Sequence, residues 1–154
     1  MKWFTREWAS GGLIDSEWEE RNRRYASHLE SVRADLLDGS DALVTDVNLH
    51  DAQVQSWSFE PDGSFLLTVL IGDLQVGYET VTLRYEAATT HPSANELSEL
   101  HLGSKGTEIR YDEVDITPNG NYQHSILIHP AGELDISFKS IEVRRAPATA
   151  VDRR

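Results

Sequence analysis

Cysteine is absent from the 154-residue chain, which excludes a disulfide framework, a thiolate metal site and a thiol nucleophile. Long apolar runs are missing as well. The longest uncharged one, Phe65 to Gly72, spans eight residues, against the roughly 20 that a membrane helix needs. The opening Met1-Lys2-Trp3-Phe4-Thr5-Arg6-Glu7 holds no apolar stretch of signal-peptide length, so a cytoplasmic location with no membrane partner is expected. Basic residues are scarce in the middle: residues 41–137 hold only Arg84, Lys105 and Arg110 against sixteen Asp and Glu. With a net charge of −12, nucleic acid is excluded as the main partner, because phosphate binding needs an excess of Lys and Arg. Enzyme signatures are missing too. There is no Gly-x-Ser-x-Gly elbow and no Gly-x-Gly-x-x-Gly turn, and Gly103-Ser104-Lys105-Gly106 lacks the spacing of a phosphate-binding loop. No cofactor is implied.

The residues that are present fit a single α+β domain over 1–145, followed by a flexible tail over 146–154. Trp18, Asn22, Tyr25, Leu29, Val32 and Leu36 recur at steps of four and three. That is one face of a helix over about 16–37, with Ser16 and Glu19 spaced as a capping box and Asp38-Gly39 as the stop. Residues 2–9 read as a short strand or a helical turn that docks Trp3, Phe4 and Trp8. After Gly39 the pattern turns to short runs separated by turn sequences such as Pro61-Asp62-Gly63 and Pro118-Asn119-Gly120. Strands are expected over 53–59, 64–71, 74–86, 108–115, 122–129 and 133–144. A parity change puts a bulge near Gly77–Thr80, and another puts a bend near Ser140. Ser93 to Glu96 can cap a short helix carrying Leu97 and Leu100. The N-terminal amphipathic helix then packs on a mostly antiparallel curved sheet or half-barrel of about five to seven strands.

Four segments in this order resemble a loose family of small uncharacterised bacterial single-domain proteins. They are Met1 to Glu7, Leu49-His50-Asp51-Ala52, Ile109-Arg110-Tyr111-Asp112-Glu113-Val114-Asp115, and the closing Glu133 to Ile141. Some small bacterial proteins of this look belong to toxin-immunity systems, and what that resemblance implies is a fold-level analogy with no catalytic residue to carry over.

Three function classes remain. The leading one is a non-catalytic module that presents an acidic face to a basic protein partner, as an immunity protein does to a basic toxin, because complementary charge speeds and selects the encounter. Its expected contacts are Asp112, Glu113 and Asp115, the densest acidic cluster, with Tyr111 as an aromatic anchor and Trp57 or Phe59 as alternatives. The second class is a metal-dependent hydrolase using His50, Asp51, Glu113 and His124. Against it, His124 and His129 lie five apart and so face opposite ways on a strand. His28, His91 and His101 also lack the helical spacing of a zinc pair. The third is an adaptor whose Trp3, Phe4 and Trp8 dock on another chain. The oligomeric state is left open.

Overall fold

A computed structural model describes residues 1–100 and 102–149; His101 and residues 150–154, the end of the expected tail, lie outside the described residues. Four helices, α1 (Arg6–Ala9), α2 (Asp15–Val32), α3 (Ala42–Thr45) and α4 (Ala94–Glu99), accompany eight strands. The strands are β1 (Gln53–Phe59), β2 (Phe65–Asp73), β3 (Gly77–Glu86), β4 (Thr89–His91), β5 (Glu108–Ile116), β6 (Tyr122–His129), β7 (Gly132–Phe138) and β8 (Ser140–Ala148). All pair antiparallel in one sheet of order β4-β7-β6-β5-β1-β2-β3-β8, which does not close. The fold is therefore α+β, with more strands than the sequence pattern suggests. The expected bend near Ser140 divides the last run into β7 and β8 at Lys139, and the brief β4 carries no apolar alternation to announce it.

Strand alternation puts Phe65, Leu67, Val69, Val81, Leu83, Tyr85, Ile126, Leu134, Ile136 and Phe138 on one face, where all are buried. The sheet curls strongly around them, so that Tyr85 of β3 packs edge-on against Phe138 of β7 at 5.1 Å between centroids. The curl has one tight corner. There β3 leads into β4 through Ala87 and Ala88, β7 leads into β8 through Lys139, and the Lys139 N–H donates to Glu86 O at 3.0 Å. On the opposite side β1 and β5 pair at Gln53 and Glu108, flanked by the bonds from Val54 N–H to Thr107 O and from Ile109 N–H to Ala52 O. The buried Leu97 of α4 and Leu102 of the loop beyond it belong to the same core. Leu36, Leu43, Val47 and Leu49 fill it from the connection before β1.

Several local expectations change. No bulge interrupts β3, whose register with β2 runs unbroken from Phe65↔Tyr85 to Asp73↔Gly77. Leu74 and Val76 differ in parity because they form the hairpin tip, exposed at 83% and 82%. The bulges fall instead in β1, between Val54 and Ser56, and in β5, between Ile109 and Tyr111. Residues 6–9 are a helical turn capped by Thr5. Helix α2 starts one residue before Ser16 without a side-chain cap, whereas the full capping box forms at Ser93 and Glu96 of α4. No residue of α2 is buried: it rests on the outer face of β5 instead of entering the core. The chain also stays in the sheet past Arg145, because Ala146 and Ala148 continue the ladder with Thr80 and Tyr78. Among the described residues no helix is long and apolar enough to cross a membrane.

Candidate functional site

The expected acidic contacts lie on β5, whose alternation splits them. Asp112 and Val114 pair with Ile126 and His124 on the core side, while Tyr111, Glu113 and Asp115 face the N-terminal segment and α2. Glu113 is only 5% exposed. Its carboxylate accepts the backbone N–H of Lys2 at 2.8 Å, of Trp3 at 2.6 Å, and of Phe4. Three successive N–H groups folded around an anion form a compact nest, and hydrogen bonds to a charged acceptor are the stronger kind. The Met1 ammonium lies 3.0 Å from Glu133. Asp115 sits 2.9 Å from His28 Nε2 and accepts the Ile116 N–H. Tyr111 lies under Phe4, Trp8 and His50, at 5.7, 4.5 and 5.1 Å between centroids. Trp3, Phe4 and Trp8 therefore dock on their own chain, against Tyr25, His28 and Tyr111. Trp57 is half-buried on β1 against Phe59 and Phe65, on a different part of the sheet.

Inside the barrel-like curl, the fully buried His124 bridges two partners. Its Nδ1 lies 2.7 Å from the Tyr85 hydroxyl and its Nε2 lies 3.0 Å from Asp112 Oδ2. Burial, helped by the Asp112 charge, holds the Tyr85 hydroxyl well above the usual phenol range. The phenol therefore keeps its proton and donates to Nδ1, which leaves the Nε2 proton to be donated to Asp112. Hydroxyl, imidazole and carboxylate follow one another as in a nucleophilic triad, but the hydroxyl is sealed in the core and meets no substrate. The arrangement satisfies buried polar groups. Its inward histidine was legible from sequence, since His124 shares the parity of Ile126 and Ile128. Its tyrosine, 39 residues away, was not.

The metal candidates do not assemble. Glu113 faces outward and His124 inward, as adjacent register positions on β5 and β6 require. Among the described residues no group of three or more His, Asp or Glu is placed to hold a metal ion. His50 and Asp51 do meet, because they sit in a turn: His50 Nδ1 is 3.1 Å from Asp51, whose carboxylate also lies 3.4 Å from Arg110.

A second acidic group escaped the sequence reading. Asp35, Asp38, Asp41 and Asp46 are all exposed on the connection between α2 and β1, and none makes an ion pair with a described side chain. Leu37, in their midst, is 59% exposed. The connection is pinned along the edge of β8. Asp38 O accepts the Ile141 N–H at 3.0 Å, Arg145 donates to Asp46 O, and the Leu37 N–H donates to the Tyr122 hydroxyl at 3.2 Å. Gly39 permits this approach, for a Cβ there would lie 2.2 Å from Ile141 O. The only sequence signal was the recurrence of Asp at 35, 38, 41 and 46, which resembles an ordinary polar loop. No family model, no curated protein and no solved structure matches the chain.

Proposed function

We propose that this protein is a non-catalytic binding module that recognises a basic protein partner, with an immunity-type role as its most concrete form. The observation that supports it is the pinned strip of Asp35, Asp38, Asp41 and Asp46 around exposed Leu37. Unpaired carboxylates on a fixed backbone offer complementary charge without the cost of ordering a loop, and an apolar side chain among them supplies desolvated contact. The expected contact set shifts accordingly. Glu113 and Asp112 are occupied within the fold and contribute field, whereas Asp115, Tyr111 and Trp57 keep partial exposure.

The test is an affinity capture from host lysate with the intact protein and with a variant in which the four aspartates become Asn. A basic protein retained by the former at low salt, shed at high salt and lost by the variant is the expected result. Raising salt from about 0.05 to 0.5 M shortens the screening length from about 14 to 4 Å, so binding should fall more than tenfold. A partner held equally at both salts, or held equally by the variant, overturns the reading.

A further inference from the structure

Within this acidic protein, one concave surface gathers two arginines and two histidines around a single aspartate. A cleft of about 450 Å3 opens between α1, the turn before β1, the start of β5 and the β6–β7 turn. It draws Arg6 from the N-terminal segment, His50 and Asp51 from the turn, Arg110 and Tyr111 from β5, and His129 from the end of β6. Arg110 is one of only three basic residues between 41 and 137, so its placement here runs against the local composition.

The walls are built, not incidental. Asp51 adopts a positive φ of 60°, unusual for a residue other than glycine, and its N–H donates to Ile109 O at 2.8 Å. That conformation aims its carboxylate at both His50 and Arg110, at 3.1 and 3.4 Å. The one anion in the cleft is thereby spent on orienting two donors. Glu108, 3.9 Å from Arg110, steadies the same guanidinium from outside the cleft lining. Across the cleft, Arg6 lies over Gly132, where an added Cβ would come within 2.6 Å of its Nη2. A side chain at 132 would displace that guanidinium. Neither Arg6 nor the His129 ring hydrogen-bonds to another described side chain. The remaining wall is apolar and aromatic: Tyr111, Leu127 and Pro130.

We propose that this cleft binds a small organic anion whose oxyanion head, a carboxylate or a phosphate, is held by Arg6, Arg110 and His129 while a flat apolar body lies against Tyr111 and Pro130. Guanidinium groups match either head through paired N–H donors. The volume exceeds that of a bare phosphate, and the apolar wall gives the rest of the ligand something to cover. This site is separate from the acidic strip and stands or falls independently of the proposed partner.

The experiment titrates the purified protein with benzoate, phenyl phosphate, inorganic phosphate and benzylamine, followed by calorimetry and by ring proton shifts of Tyr111 and His129. Saturable binding of benzoate or phenyl phosphate, shifting both rings, is the expected result, and which of the two binds identifies the head. Arg6→Gln and His129→Gln should each weaken that binding about tenfold with an unchanged unfolding midpoint. Two exposed positions keep the test independent of folding. Inorganic phosphate bound as tightly as phenyl phosphate overturns the apolar subsite. Benzylamine bound equally well, affinity unchanged in both variants, or no saturation by either organic anion up to about 10 mM overturns the site.

Discussion

The Glu113 carboxylate exchanges its water for three consecutive peptide N–H groups, so its removal strands donors on a segment that has no secondary structure of its own. Glu113→Ala is expected to destabilise by about 3 kcal/mol, the cost of one or two charge-assisted hydrogen bonds with buried donors left unmet. Urea unfolding measures it, and tryptophan emission should redden under native conditions as Trp3 and Trp8 come loose. Tyr85→Phe keeps the packing but leaves His124 Nδ1 without its donor. A loss of about 1–3 kcal/mol at constant denaturant slope is expected. Tyr25 shows a pH effect. Burial first, then the charges of Asp112, Glu113 and Asp115, push its pKa up from 10.0, although the Val114 N–H pulls the other way. A phenol whose folded pKa is raised stabilises fully below its unfolded pKa and loses that contribution as pH rises toward the folded one. Stability should therefore fall above about pH 10. In ultraviolet titration, Tyr85, sealed in the core, should resist ionisation until the protein unfolds.

Elements differ in how plainly the sequence announces them. The hairpin of β1 and β2 was legible because Pro61-Asp62-Gly63 separates two apolar runs. Ser93 and Glu96 announced α4 by the capping spacing they adopt. Helix α2 was legible by period but misleading in depth. Its Tyr25 meets the outer face of β5 through a hydroxyl that accepts the Val114 N–H, and its Trp18 stacks on Trp8, so both rings stay partly exposed. Periodicity states which side of a helix is apolar and not how deep its partner surface lies. The acidic cluster on β5 was legible as a cluster. Its consumption by N–H groups 109 to 111 residues earlier was not, because no local pattern encodes a contact of that range. A helix with no buried side chain should open locally at little cost. Amide exchange in α2 is thus expected to run orders of magnitude faster than in β3, which is paired on both sides. Equal protection in the two would contradict that placement.

At the scale of the whole molecule, the curl is held by a long ladder at one corner and by a shorter β1–β5 seam at the other, where Asp51, Val54 and Ile109 supply the backbone bonds. Loosening should start at the shorter seam. Leu97→Ala, which removes a fully buried side chain from the common core, is expected to cost about 2–5 kcal/mol, measured by thermal unfolding. The N-terminal clamp carries a consequence in time. Trp3, Phe4 and Trp8 leave the ribosome well before the carboxylate that fastens them, which lies some 109 residues later, roughly 5–20 s of synthesis at about 5–20 residues per second. During that interval an aromatic segment waits without its dock, so that segment is a natural client for a nascent-chain chaperone.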